Sequence, residues 1–324
     1  MLVSVLLFAV GLVLLIKGGD WFVDGAVGIA KRFNLPDIVV GATVVSIGTT
    51  LPEVMVSTTG ALAGSGAMAY GNAIGSIICN TALIAAISIV CNPGPVNVKS
   101  MKTPAIFFFC SAAMYCLAAY GLGTFPRWMG FVMLAIFVAY TLLTVRNGMK
   151  NPDAGAEEEE EGGKPKKLWQ ELLLLVIGAA VIAVGADLLV DHGQIIAIEL
   201  GVPETVVALL FVALGTSLPE LVTTITSLKK GRASLGVGNV IGANVFNLVL
   251  VSGVAVSLAP FDVPVENTLL DTGLNLSLVF DIPVMLGVMS LMIFPALLGK
   301  KLSRWQGIAL LCIYAAFCVC QFML

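Results

Sequence analysis

The sequence predicts an all-α integral membrane protein, with ten transmembrane helices arranged as two inverted five-helix repeats. Three observations support this fold class: an apolar composition, a one-sided distribution of lysine and arginine, and an internal repeat. Of the 324 residues, 58% are hydrophobic and 11% are charged, whereas soluble domains have about 45–50% apolar and about 25% charged residues. Because so apolar a chain cannot cover itself with polar surface, a soluble enzyme, a nucleic-acid-binding protein and a disordered chain are excluded.

Ten apolar runs are each long enough to cross a bilayer, which takes about 20 helical residues. The first run has no basic segment before it and no small-residue cleavage site after it, so it predicts a transmembrane helix rather than a cleaved signal peptide. The predicted spans are 2–20 (with a continuation to 30 left open), 37–63, 67–91, 103–122, 126–146, 169–190, 204–228, 234–259, 278–298 and 304–323.

Lysine and arginine are concentrated in alternate connections between these spans. Fifteen of the 17 fall in the connections after spans 1, 3, 5, 7 and 9, Lys17 lies within the first span, and only Arg127 falls on the other side. Cytoplasmic connections collect positive charge. The pattern therefore supports ten spans and predicts that both termini lie outside the cell.

The longest connection is predicted to be a cytoplasmic linker at 147–168, between repeat domains at 1–146 and 169–324. It contains five consecutive glutamates, from Glu157 to Glu161. We expect a solvated segment, because a flexible acidic run attracts cations but offers no preformed cage for one. A calcium-sensing role for this run is left open.

The chain repeats itself at an offset of 167 residues. Residues 11–80 align with 178–247 without a gap and share 23 identities in 70 positions, including polar residues, glycines and prolines that common hydrophobicity does not explain. Five predicted spans separate equivalent positions. Because five is odd, the two halves are predicted to be upside down relative to each other, an arrangement typical of secondary transporters.

Glu53 and Glu220 are repeat-equivalent carboxylates predicted near the middle of spans 2 and 7. A charged side chain at this depth costs roughly 2.5–3.5 kcal/mol on insertion scales, so each must face the bundle interior and have a partner. No lysine or arginine falls at a comparable depth in the predicted spans. The predicted partner is therefore a proton or a bound cation.

Oxygen-bearing groups surround both glutamates in the sequence. Hydroxyl residues lie three to four positions before each glutamate, close to the same helical face. Pro52 and Pro219 lack the backbone N–H that would bind a carbonyl in the preceding turn, so they are predicted to free carbonyls near 48–49 and 215–216. Carboxylates, hydroxyls and free carbonyls are the ligands that calcium prefers. The hydroxyl residues are Thr49, Thr50, Thr216 and Ser217.

Spans 3 and 8 carry a second polar face. Asn72, Ser76 and Asn80 recur every four residues, and their repeat equivalents are Asn239, Ala243 and Asn247. For Asn72 and Asn239 two interpretations stay open, as ion ligands or as residues that hydrogen bond between helices. Flanking glycines predict close helix packing, and Asp20 and Asp187 are predicted to have a structural or gating role near helix ends. The glycines are Gly71, Gly75, Gly238 and Gly242.

These segments resemble the two α-repeats of the cation/calcium exchanger superfamily, specifically its prokaryotic sodium/calcium exchanger branch. The resemblance rests on GTTLPE at 48–53, GTSLPE at 215–220, and the pattern GNxIGxxxxN at 71–80 and 238–247. It implies export of calcium in exchange for sodium, with Glu53 and Glu220 as central ligands. The other ligands that it implies, with backbone carbonyls for Ser46 and Ala213, are Thr49, Thr216, Thr50, Ser217, Ser46, Ala213, Ser76, Asn80 and Asn247.

Two positions depart from the pattern of relatives. This chain has Asn247 where some relatives have aspartate, and Ala243 where they have serine. The second half therefore offers less negative charge and one hydroxyl fewer, which leaves the counter-ion open.

An antiporter of divalent cations and protons is the main alternative, because the two glutamates could carry protons. A cation channel and an intramembrane protease are weaker alternatives. No cofactor is expected, the implied partners are calcium, sodium and the lipid bilayer, and the oligomeric state stays open, a monomer included.

Overall fold

A computed structural model describes residues 2–150, 167–200, 215–264 and 275–323. The described chain is predominantly helical. Within these residues, eight helices are long and apolar enough to cross a membrane, or nine if a bent pair counts as one span. The predicted all-α membrane fold is therefore confirmed at this level.

The helices are labelled α1–α11 in chain order. Their bounds are α1 Leu2–Arg32, α2 Asp37–Thr49, α3 Leu51–Leu62, α4 Gly66–Cys91, α5 Val98–Leu122, α6 Arg127–Lys150, α7 Leu168–Glu199, α8 Leu218–Lys229, α9 Ala233–Leu258, α10 Ser277–Gly299 and α11 Arg304–Met323.

The predicted spans match these helices with three differences. The helices α1 and α7 extend well beyond 2–20 and 169–190, because they continue through Asp20 and Asp187 without a helix-breaking residue. The predicted span 37–63 is bent into α2 and α3. The predicted span 204–228 is described only from residue 215, and this part contains α8.

The helices α4 and α9 form the centre of the molecule. In their most apolar 18-residue windows, 72% and 89% of the residues are buried, against 28% in α1 and in α7. The outer helices instead expose large apolar side chains, such as Leu2, Leu142 and Leu298. Such a surface suits lipid, whereas the completely buried Asn80 and Asn247 lie on the two central helices.

Two repeat-equivalent helices, α1 and α7, pack closely and run antiparallel. A Cβ atom on Gly11 would lie 2.9 Å from the Gly185 carbonyl oxygen, one on Gly18 would lie 2.9 Å from the Ile182 nitrogen, and Gly25 meets the Glu171 backbone. As residue numbers rise along α1, they fall along α7. Such backbone contact requires small residues, as in other closely packed membrane helices.

The chain bends by 45° between α2 and α3. The residue at the bend is Thr50, and Pro52 occupies the first turn of α3. Pro219 occupies the same place in α8, which begins after Ser217. The structure therefore confirms that the prolines interrupt the helix, and it places the break directly before each glutamate.

The helices α4 and α9 change to π-helical geometry at repeat-equivalent residues. The π segments are Asn80–Ala85 in α4 and Asn247–Val251 in α9. Short π segments inside α-helices frequently occur at functional sites. The sequence analysis did not predict them, because no residue pattern in these apolar spans distinguishes π-helical from α-helical geometry.

Among the described residues, two short antiparallel strand pairs, which were not predicted, join the halves outside the helices. β1 (Gly94–Pro95) pairs with β4 (Lys301–Leu302), and β2 (Thr124–Phe125) pairs with β3 (Phe261–Asp262). Phe125 and Phe261 pack together, with ring centroids 5.3 Å apart. Each pair has two residues on each side, so it ties loops together without forming a sheet core.

Candidate ion-binding site

Glu53 and Glu220 lie in the first turns of α3 and α8, and both are completely buried. Their carboxylates are close enough for the two charges to interact. Within the described chain, no oxygen of either carboxylate makes a hydrogen bond. The structure thus brings together two buried carboxylates that are 167 residues apart in the chain.

Buried polar side-chain atoms without a hydrogen-bond partner occur at fourteen of the described residues. Six of these residues form three repeat-equivalent pairs, and all six are at most 1% exposed. No other two of the fourteen are related by the offset of 167. The pairs are Thr50 with Ser217, Glu53 with Glu220, and Asn80 with Asn247.

These unpaired groups are costly in the absence of a ligand. A buried neutral polar group without a partner costs about 1–3 kcal/mol, and a charged one costs more. Hydroxyl, amide and carboxylate oxygens are hard ligands that suit calcium and sodium. Among the described residues, no group of three or more His, Cys, Asp or Glu could hold a metal. This ligand set therefore consists of two carboxylates and neutral oxygens.

The two halves contribute to one site. The hydroxyls of Thr49 and Thr50, at the end of α2, lie next to the Glu220 carboxylate of the other half. The Ser217 hydroxyl, at the start of α8, lies next to the Cys79 thiol on α4. Residues from both helix breaks therefore surround the same buried space.

Thr49 and Ser46 are held by Asn239 on α9. The Thr49 hydroxyl donates to Asn239 Oδ1 at 3.1 Å, and the Ser46 hydroxyl donates to the Gly41 carbonyl at 2.8 Å and lies 2.9 Å from the Asn239 carbonyl. The Ser46 carbonyl, implied as a ligand by the resemblance, accepts a hydrogen bond from the Thr50 amide at 3.0 Å. It still has a second lone pair.

Thr216 meets the equivalent asparagine, Asn72 on α4. Its hydroxyl lies 3.5 Å from Asn72 Oδ1, and Asn72 Nδ2 donates to the Ser57 hydroxyl at 2.8 Å. Of the two interpretations left open for Asn72 and Asn239, interhelical hydrogen bonding is the one that the geometry shows.

Ser76 and Ala213 are the remaining ligands that the resemblance implies. Ser76 is buried on α4, one turn before Asn80. Its equivalent, Ala243, is completely buried and has no oxygen to offer. The other implied ligand, Ala213, lies outside the described residues.

The flanking glycines behave differently in the two halves. Gly238 contacts the Ile38 backbone and Gly242 contacts Ala42 and Ser46, so α2 lies directly against α9. A Cβ atom added to Gly71 or Gly75 would meet nothing within 4 Å in the part of the chain that is described. The predicted close packing is therefore confirmed for the second pair of glycines only.

Sequence reasoning missed one buried polar residue near the site. Asn244, one turn before Asn247, donates to the Thr81 hydroxyl at 2.7 Å, and its Oδ1 has no partner among the described residues. An asparagine inside an apolar span was the available signal, because polar groups at this depth are costly. It was passed over because it has no polar equivalent in the first half.

A cavity of about 900 Å³ leads to the helix breaks. One wall is formed by α7, with Asp187 and Asp191 among the lining residues, and the other wall includes Thr49 and Pro52. Thr216 also reaches it. The cavity therefore reaches residues next to the buried carboxylates, while Glu53 and Glu220 themselves are not among its lining residues.

Comparison with known proteins shows which protein family this chain resembles. The sequence profile of the sodium/calcium exchanger protein family matches residues 3–146 and 171–323. The chain belongs to this family. Its members are transporters and not enzymes, so the transported ions are substrates rather than cofactors.

Individual relatives match along almost the full chain. The sodium/calcium exchanger MaX1 of Methanosarcina acetivorans is 29% identical over 355 residues, covering 99% of each chain. An uncharacterized membrane protein of Methanocaldococcus jannaschii is 34% identical over 307 residues, covering 95% of this chain and 94% of the relative. A solved structure of the sodium-calcium exchanger NCX_Mj superposes with a TM-score of 0.78 at 31% identity, covering 97% of each chain.

Proposed function

We propose that this protein exports calcium in exchange for sodium by alternating access, with the ions bound at mid-membrane between two inverted halves. The observation that carries the proposal is the set of three repeat-equivalent pairs of buried, unpaired polar side chains: Thr50 with Ser217, Glu53 with Glu220, and Asn80 with Asn247. Two carboxylates balance the charge of one calcium ion, and the neutral oxygens around them suit sodium, which carries a single charge.

The proposed ligands are the sequence-predicted residues. Glu53 and Glu220 hold calcium at the centre, and Thr49 and Thr216 add oxygens beside them. The sodium sites use Thr50, Ser217, Ser46, Ala213, Ser76, Asn80 and Asn247. Support comes from two relatives: MaX1 is a sodium/calcium exchanger, and crystals of the sodium-calcium exchanger NCX_Mj were soaked with sodium, calcium and strontium.

The proposed architecture has ten transmembrane helices in two inverted repeat domains, 1–146 and 169–324. The antiparallel packing of α1 against α7 supports inversion, since these helices are repeat equivalents. Following the positive charge, both termini lie outside and the linker 147–168 is cytoplasmic.

Calcium uptake into inside-out vesicles tests the function directly. A sodium gradient is expected to drive uptake, because the exchanger couples the two ions, and its collapse should stop it. A proton gradient without sodium is the control. Uptake driven by protons alone would contradict sodium exchange and favour the alternative, an antiporter of divalent cations and protons. Asn247, which stands where some relatives have aspartate, leaves this alternative open. Uptake without dependence on either gradient would indicate a channel.

A further inference from the structure

Two asparagines outside the proposed ligand set, the buried Asn239 and the partly buried Asn72, contact threonines of the opposite half. We propose that Asn239 and Asn72 are positioning residues: each uses its side-chain oxygen to fix the hydroxyl proton of a threonine from the opposite half, so that the threonine oxygen presents its lone pairs to the transported ion. The inference rests on the proposed function and deepens it.

The direction of the hydrogen bonds around Asn239 follows from one hydroxyl. Thr223 Oγ1 lies 2.9 Å from the Pro219 carbonyl and 3.0 Å from the Glu220 carbonyl. A carbonyl cannot donate, so the single proton of Thr223 points to these oxygens. Its oxygen must then accept from Asn239 Nδ2, which lies 2.9 Å away.

This orientation of the Asn239 amide determines which atom accepts the hydroxyl proton of Thr49. Because the Asn239 amide nitrogen faces Thr223, its oxygen faces Thr49 and accepts that hydroxyl proton at 3.1 Å. A hydroxyl has one proton and two acceptor lone pairs. With its proton committed to Asn239, Thr49 Oγ1 has both lone pairs available to a cation.

The hydrogen bonds around Asn72 in the other half run in the same direction. Asn72 Nδ2 donates to the Glu53 carbonyl at 3.3 Å and to the Ser57 hydroxyl at 2.8 Å. The carbonyl contact fixes the amide orientation, so Asn72 Oδ1 faces the Thr216 hydroxyl, 3.5 Å away. In both halves, the amide nitrogen thus contacts the helix that carries the half's own glutamate, and the amide oxygen contacts the opposite half's threonine.

Only asparagine among residues of this size does both tasks. Aspartate would accept from the threonine but could not donate, and leucine could do neither. Residues that orient metal ligands typically change metal affinity by 10–100-fold when they are replaced. The two asparagines are therefore expected to set ion affinity without touching the ion.

A double-mutant cycle separates positioning from packing. The variants are Asn239→Leu, Thr49→Val and the pair together, in full-length protein, with calcium binding by titration calorimetry and sodium-driven calcium flux in vesicles as readouts. We expect Asn239→Leu to weaken calcium binding by about tenfold, the lower end of the range for residues that orient ligands. The double variant should be no weaker than Thr49→Val alone, since Asn239 acts through Thr49.

A crossed pair is the matched control. Asn239→Leu combined with Thr216→Val removes residues that share no hydrogen bond, so their effects should multiply, as expected for independent sites. If the Thr49 pair also multiplies, or if Thr49→Val leaves calcium binding unchanged, the positioning role is overturned. If the wild type binds calcium but shows no sodium-driven flux, the exchange function fails while the cycle still reports on positioning.

Asn239→Asp covers the case in which Asn239→Leu does not fold. A carboxylate keeps the acceptor for Thr49, and the Thr223 hydroxyl can rotate to donate its proton to the second carboxylate oxygen, so the lost amide donor is replaced. Because the variant also adds negative charge, calcium affinity should be equal to or higher than that of the wild type. A loss of calcium affinity in a folded Asn239→Asp protein would overturn the proposal, because the acceptor for the threonine proton is still present.

Discussion

At the scale of single residues, the two buried carboxylates carry the strongest prediction. Glu53→Gln and Glu220→Gln each remove half of the formal charge while keeping the side-chain shape, so each should reduce calcium flux in vesicles to background. Both proteins should still insert, since neutral glutamine is cheaper in lipid. Glu171→Gln is the matched control: Glu171 is also buried but binds Arg32 at 2.8 Å. Wild-type flux in either site variant would contradict the two-carboxylate site.

The pair Ser76 and Ala243 predicts an asymmetry in sodium binding. Both side chains are buried at repeat-equivalent positions, but only Ser76 has a hydroxyl. A hard cation gains affinity from each oxygen that can reach it. Ser76→Ala should therefore raise the sodium concentration needed for half-maximal flux, and Ala243→Ser should lower it. A sodium titration of calcium flux measures both, and an unchanged titration would mean that these positions only pack helices.

At the scale of helices, the breaks before the glutamates depend on proline. Pro52→Ala supplies a backbone N–H four residues after Gly48, so α2 and α3 can join and the freed carbonyl is lost to the ion. We expect weaker calcium binding together with a higher melting temperature. Pro295→Ala, inside α10, is the control and should raise stability without changing calcium binding. Calorimetry and thermal unfolding test both, and unchanged calcium binding in Pro52→Ala would exclude a role for the break.

The contact between α1 and α7 predicts a contrast between two glycines. A Cβ atom at Gly18 would lie 2.9 Å from the Ile182 backbone nitrogen, whereas one at Gly287 meets nothing within 4 Å. Gly18→Ala should destabilise the protein by about 1–3 kcal/mol, as overpacking does. Gly287→Ala should be neutral or stabilising, because alanine is the better helix former. Equal melting temperatures for the two variants would show that α1 and α7 are not in backbone contact.

At the scale of the whole molecule, ion pairs join the two halves at the end predicted to be cytoplasmic. Lys230 Nζ lies 2.6 Å from Asp24 Oδ1, Arg232 Nη1 lies 3.2 Å from Asp37 Oδ2, and Arg32 binds Glu171. The residues equivalent to the three cations are Ala63, Ser65 and Glu199, so the opposite end cannot repeat these pairs. Each exposed pair contributes only about 0–1 kcal/mol, and their joint effect is to make the two ends unequal.

The predicted orientation is tested by labelling in intact cells. In a background without the seven native cysteines, a cysteine at 65 or 265 should react with an impermeant thiol reagent from outside. A cysteine at 155 or 230 should react only after the membrane is opened, because lysine and arginine collect on the cytoplasmic side. Labelling of 155 in sealed cells would reverse the orientation.

The sequence by itself determined the membrane class, the positions of most spans and the paired glutamates. Apolar runs, alternating positive charge and a repeat at one offset are properties of the linear chain, and an unneutralised carboxylate in an apolar span indicates function wherever the helix packs. The helix breaks were also predictable, because proline acts on its own preceding turn.

Only the tertiary structure decided what each polar side chain contacts. For Asn72 and Asn239 the sequence left open whether they bind ions or hydrogen bond between helices, and the structure shows that they hydrogen bond between helices. Asn80 and Asn247, the predicted ligands, have no partner among the described residues. Thr49 and Asn239 are 190 residues apart, so their contact depends on how closely α2 lies against α9. The glycines Gly238 and Gly242 predict that some helix packs closely against α9, but the identity of that helix follows only from the three-dimensional arrangement of the bundle.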